Sequence, residues 1–217
     1  MAHPPDPGSS SGVRAALLLI DVINDLEFEG GDALLAEALP MAGRIAELKR
    51  RADRRGIPTI YVNDNFGRWR SDFRRTVEHV LEDGVRGEPV ARLLAPQEID
   101  YFVLKPMHSG FYQTTLEALL QHLGIGTLIL TGMAVDYCVL FTANDAFMRG
   151  YGLCVPADCV AAESSDVREQ VIALIERVLK ADVRPSGQLD LDRLAREGTE
   201  AGRVSTSSLG GPAARYG

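Results

Sequence analysis

The sequence predicts an α/β fold, a parallel sheet covered by helices on both faces. Three observations point there. Short runs apolar at every position recur along the chain, as strands buried on both faces require. Stretches with apolar residues at helical spacing separate them, and glycines or charged residues stand where one kind of segment gives way to the other. Strands alternating with helices of this size make βαβ units, hence a parallel sheet.

The elements follow in order. Residues 1–13 are rich in Pro, Gly and Ser and read as a flexible arm. Ala15–Ile20 (AALLLI) is the first strand and ends at Asp21. A loop covers 24–32. Pro40 opens a helix whose stripe is Met41, Ile45, Leu48 and Ala52, stopped by Gly56. Pro58–Val62 is the second strand, and 63–75 a polar, aromatic and basic loop leading into a short helix. Tyr101–Leu104, Thr127–Thr131 and Leu153–Val155 are further strands, with helices over about 111–123, 136–149 and 166–179. The folded domain is thus expected over 14–182, with 183–217 a C-terminal tail, flexible or docked on a partner subunit.

Composition narrows the function. The chain has 217 residues, 46% hydrophobic and 24% charged, enough for one domain with a full core. No apolar stretch approaches the ~18–20 residues that span a bilayer, so no membrane role is expected. The net charge of -7 repels a polyphosphate backbone and disfavours nucleic acid. Three unevenly spaced cysteines (Cys138, Cys154, Cys159) fit neither a disulfide framework nor a zinc knuckle. With no basic-then-apolar leader, a cytoplasmic, reduced protein is the expectation.

In an open parallel sheet, ligands bind beyond the carboxyl ends of the strands. Those ends carry Asp21, then Asn63, Asp64 and Asn65, then Lys105, then Gly132 through Cys138. A carboxylate, an ammonium and a thiol at neighbouring strand ends form a coherent set for nucleophilic catalysis. Near a helix start and a lysine, Cys138 is expected to favour the thiolate and to react well below pH 8. Asp21 is placed to accept the thiol proton, Lys105 to hold both charges in register, and the small loop 132–135 to offer backbone N–H groups as an oxyanion hole with Cys138. Each residue also has an ordinary reading. An Asp after a strand is commonly a turn residue, a strand-end Lys commonly solvated, and a free Cys commonly a small buried apolar group, which is the reading for Cys154 and Cys159.

Three segments in this order, LLLIDVINDL, FVLKPMHSGFYQTTL and LILTGMAVDYCV, resemble the isochorismatase-like cysteine hydrolases over roughly residues 14–180. The resemblance implies a three-layer α/β/α sandwich with a mainly parallel six-stranded sheet. It implies a triad of Asp21, Lys105 and Cys138, an oxyanion hole from the Ala134 and Cys138 amides, and a cis peptide between Met133 and Ala134. It implies a homodimer or homotetramer and no cofactor. The sequence departs from the family's common residues at Ile23, Leu26 and Val135. The metal-binding nicotinamidases carry an Asp–x–His motif after the second strand, where this chain reads Asn63-Asp64-Asn65-Phe66-Gly67-Arg68-Trp69. No metal is therefore expected.

Phe28, Asn65, Trp69, His108 and Tyr112, in loops after the first three strands, are the candidate substrate-binding residues. The activity so implied is hydrolysis of a C–N bond in a small carboxamide or ureido compound through a Cys thioester. The rivals are isochorismate-type vinyl-ether hydrolysis, which lacks the cysteine nucleophile, and a catalytically silent binding or assembly module on the same fold.

Overall fold

A computed structural model describes residues 14–67 and 72–197. In chain order the elements are β1 Ala15–Ile20, α1 Gly31–Asp53, β2 Thr59–Asp64, α2 Phe73–Glu82, α3 Glu88–Leu93 and β3 Tyr101–Lys105. Then come α4 Leu116–His122, β4 Thr127–Gly132, a π-helical turn Val135–Val139 running into α5 Leu140–Met148, β5 Gly152–Cys154, α6 Ser165–Leu179, a 3-10 turn Ser186–Gln188 and α7 Leu191–Glu197.

All strand pairs are parallel, in the order β3-β2-β1-β4-β5. The central strand β1 is apolar and buried throughout because its alternate residues feed two cores. Ala15, Leu17 and Leu19 pack with α1, α2, α3 and α7. Ala16, Leu18 and Ile20 pack with α4, α5 and α6. The result is the three-layer sandwich expected. Among the described residues no helix is long and apolar enough to cross a membrane.

The sheet has five strands among the described residues, not six. The place beside β5 holds a single parallel bridge, Cys154 to Asp182. Asp182 N–H donates to Leu153 O and Val155 N–H to Asp182 O, but the Asp182 carboxylate then captures the Arg184 N–H at 3.1 Å. That local side-chain bond takes the Arg184 N–H that would continue the ladder.

Three boundaries also shift. Helix α1 begins at Gly31, and Pro40 lies inside it. The buried stripe Leu34, Ala38, Met41, Ile45 runs straight past the proline, whose exposed side leaves the unpaired carbonyl of the preceding turn to water. Helix α4 starts only at Leu116, because Ser109 Oγ accepts from Phe111 N–H and Thr142 Oγ1 from Gly110 N–H, holding the approach in turns. The folded body continues past 182. Leu189, Leu191 and Leu194 are buried against α1, and Arg51 donates to Ser186 O at 2.9 Å and Leu189 O at 3.1 Å. The other expected tail positions, 198–217, and the expected arm, 1–13, lie outside the described residues.

Candidate active site

Parallel pairing brings the carboxyl ends of β1, β2, β3 and β4 to one edge of the sheet. Asp21 follows β1 directly, in the left-handed region at φ 51, with its N–H donating to Val62 O at 3.0 Å. Lys105 ends β3 in register with Asp64, the last residue of β2. Asn63, fully buried, braces the chain beyond Asp21: its amide donates to Ile23 O at 2.9 Å and accepts from Ile23 N–H at 3.2 Å.

At the end of β4 the backbone presses against β1. Gly132 has φ 111, and a Cβ there would lie 2.0 Å from Ile20 O, so only glycine fits. Met133 N–H donates to Ile20 O at 3.0 Å, the Met133–Ala134 peptide is cis, and Val135 N–H donates to Ala161 O at 2.8 Å. This stitching sets the π-helical turn that carries Cys138. Thr142 then ties the turn to the loop after β3, donating to Cys138 O at 2.7 Å while accepting from Gly110 N–H at 3.0 Å.

The three side chains singled out at separate strand ends meet. Lys105 Nζ lies 2.9 Å from Asp21 Oδ2 and 3.3 Å from Cys138 Sγ. A third partner, Asp64 Oδ2, stands 3.4 Å away, so each of the three ammonium hydrogens has a partner. Lys105 is fully buried. Asp21 is nearly so, and its Oδ1 accepts the Asp64 N–H at 2.7 Å.

Burial raises the Asp21 carboxyl above its ordinary range despite the opposing pull of Lys105. Burial alone would lower the Lys105 ammonium, but Asp21, Cys138 and Asp64 together lift it. The Cys138 thiol is pushed up to about 12, first by burial and then by Asp21, with Lys105 opposing. This corrects the expectation of a thiolate formed below pH 8: the helix start and the lysine do not outweigh desolvation and a carboxylate at hydrogen-bond distance. The Cys138 thiol therefore favours keeping its proton, with the Asp21 carboxylate within hydrogen-bond reach.

The candidate binding residues divide. His108 is at the site, its Nδ1 3.9 Å from Cys138 Sγ and its ring 5.6 Å from Tyr137 and 5.5 Å from Phe141. Those two half-exposed aromatics, four residues apart on one face of the turn into α5, form a wall that sequence reading did not single out; their i,i+4 spacing around Cys138 was the available signal. Asn65 is buried beside Lys105, with its N–H on Lys105 O, and its Oδ1 is used by the Gly67 N–H. Phe28 and Tyr112 are about half exposed. Trp69 lies outside the described residues. A metal of the nicotinamidase kind does not fit: the end of β2 offers Asn63, Asp64 and Asn65 without a histidine, and among the described residues no group of three His, Cys, Asp or Glu could hold an ion.

Comparison with known proteins agrees with this fold. Residues 15–183 match the family model described as isochorismatase domain. The uncharacterized isochorismatase family protein YaaI of Bacillus subtilis is 38% identical over 174 residues, 80% of this chain and 95% of its own. "Probable inactive nicotinamidase At3g16190" of Arabidopsis thaliana is 32% identical over 167 residues, 71% of this chain and 84% of its own. The crystal structure of N-carbamoylsarcosine amidase from Thermoplasma acidophilum has a TM-score of 0.63 at 30% identity, covering 82% of this chain and 99% of that one.

Proposed function

The chain belongs to the isochorismatase family, and from that premise we propose that it is a cysteine amidohydrolase cleaving a C–N bond of a small carboxamide or ureido compound. One observation carries the reading: a thiol, a buried ammonium and a buried carboxylate within hydrogen-bond reach at the sheet's carboxyl edge. Likeness to an amidase over 82% of the chain supports the bond type.

In this reading Asp21 takes the thiol proton as Cys138 Sγ bonds to the carbonyl carbon. The carbonyl oxygen becomes an oxyanion, held by the Ala134 and Cys138 N–H groups. Collapse breaks the C–N bond, and Asp21 returns the proton to the departing amine or ammonia, leaving a thioester. A water that gives its proton to Asp21 then adds. The C–S bond breaks, the carboxylic product leaves, and the sulfur regains its proton from Asp21. The base contributes typically ~10²–10⁴-fold and an oxyanion donor ~10²–10³-fold. His108, Tyr137 and Phe141 border the acyl group. Phe28, Asn65 and Tyr112 are the other proposed substrate contacts.

The test is ammonia release from a panel of small amides and ureido compounds by wild type and Cys138→Ala. Release by the wild type alone is expected. Full activity in Cys138→Ala overturns the mechanism. The name of the Arabidopsis relative keeps a silent rival in view, and release by neither protein favours it.

A further inference from the structure

Two carboxylates share the buried ammonium, and they are not equivalent. Asp21 is nearly sealed, bonded to both lysine and thiol. Asp64 is about one-third exposed, so water solvates its charge, while its Oδ1 is oriented by the Phe66 N–H at 2.6 Å and its Oδ2 faces Lys105. A pair of carboxyl groups in such different surroundings separates into two roles. Asp21 carries the proton. In the proposed reaction this leaves a stage at which Asp21 is protonated and the sulfur is bonded to carbon, both uncharged. A fully buried ammonium then needs another anion, since an unpaired buried charge is costly.

We propose that Asp64 is a positioning residue, the permanent counter-ion that keeps Lys105 charged and aimed at the sulfur while Asp21 and Cys138 are uncharged. The groups facing this ammonium are Asp21 beyond β1, Asp64 ending β2 and Cys138 in the π-helical turn, with His108 after β3 facing the sulfur. Of these, only Asp64 is an anion that takes no part in the proton transfer. The proposal rests on the hydrolase reading for the sequence of stages, but the Asp64–Lys105 coupling can be measured without a substrate.

The chain has three lysines, Lys49, Lys105 and Lys180, so selectively labelled ¹³C-lysine protein gives three Cε resonances to follow with pH. Asp21→Asn makes the uncharged partner permanent. In that variant Lys105 is expected to stay charged at neutral pH. Adding Asp64→Asn should lower its titration by about 1–3 pH units, the usual effect of losing one opposite charge at this distance. Coincident titrations in the two variants overturn the proposal. Lys49, ion-paired elsewhere, is the internal control for an intact fold.

Asp64→Asn alone gives a second reading, because its Oδ1 still accepts the Phe66 N–H and keeps the turn. A smaller downward shift of Lys105 is expected there, and no shift overturns the proposal. With a substrate in hand, Asp64→Asn should lower kcat at nearly constant KM and move the alkaline limb of the pH profile down. Asp64→Glu should restore part of both. A lowered Lys105 titration with no turnover of any amide supports the counter-ion pairing and tells against the hydrolase reading, so the two failures are distinct.

Discussion

The molecule buries two lysines, and each lies between two aspartates. Lys49 on α1 stands 3.1 Å from Asp100 and 3.5 Å from Asp53. Lys105 stands 2.9 Å from Asp21 and 3.4 Å from Asp64. By residue type the clusters are alike; by placement and directionality they are not. Asp100 precedes β3, at the amino end of the sheet, and the Lys49 ammonium meets its carboxylates at ion-pair distance without hydrogen-bond alignment. Lys105 sits at the carboxyl end, and its third contact is a thiol. A buried ammonium flanked by acids is therefore no sign of chemistry by itself. In the proposed reading, the thiol and the strand-end position make one cluster reactive and leave the other a clamp.

Replacing each lysine by methionine breaks the comparison most directly. Lys105→Met should cut amide hydrolysis by about a thousandfold, the scale of losing a preorganised electrostatic partner. Asp21, already raised by burial, would then lose the cation that opposes that rise. Lys49→Met should leave kcat within about twofold. It should cost about 3–5 kcal/mol of stability, because Asp100, only 3% exposed, loses its partner. Denaturant unfolding and steady-state kinetics on both variants decide this. Equal activity losses would mean that the amino-end cluster reaches the site.

The sequence makes the reactive cluster legible and leaves the clamp hidden, for a physical reason. Strand ends can be read from where an apolar run stops, and a parallel sheet gathers those ends in one place. Asp21, Lys105 and Cys138 are thus legible from residue type and position alone. Lys49 lies in a helix that the first-turn preference of proline starts at Pro40, nine residues after its true start at Gly31, because the tolerance of proline on an exposed face depends on tertiary packing. The sixth strand shows the converse limit, since the Asp182 side chain ends the ladder through a bond that periodicity does not encode. Asp64 is legible as a strand-end residue, but its role is not. Its reach to Lys105 depends on the β2–β3 register, which the sequence does not state.

A smaller effect sharpens the electrostatic contrast. Cys138 and Cys154 are each pushed up to about 12 from an ordinary 9.0, and burial raises Cys159 as well. Folded thiols that hold their protons longer than unfolded ones stabilise the fold below about pH 9, and this stabilisation is lost as pH rises from 9 toward 12. At pH 7 native Cys138 should react slowly with iodoacetamide. Asp21→Asn removes the carboxylate that raises the thiol while leaving Lys105, so alkylation should quicken by about tenfold for each unit the thiol falls. Asp100→Asn, the matching change in the other cluster, should leave the rate alone. Fast alkylation of the wild type at pH 7 would restore the resting thiolate and remove the need for proton transfer to Asp21.

The smallest predicted effect concerns what holds the reactive cluster in register. Thr142 is fully buried, and its hydroxyl joins Gly110 N–H to Cys138 O, linking the loop after β3 to the turn bearing the nucleophile. Thr142→Val preserves the volume but strands the buried Gly110 N–H. The expected loss is about 1–3 kcal/mol of stability, the cost of one unsatisfied donor. The Cys138 turn keeps its bonds to Ile20 and Ala161 through Met133 and Val135, so the sulfur should stay near Lys105 and kcat should fall by less than tenfold. The loop bearing His108 is held to α5 through the same hydroxyl, so KM should rise more than kcat falls. A kcat loss as large as that of Lys105→Met would mean that Thr142, and not the stitching of β4 to β1, sets the position of the nucleophile.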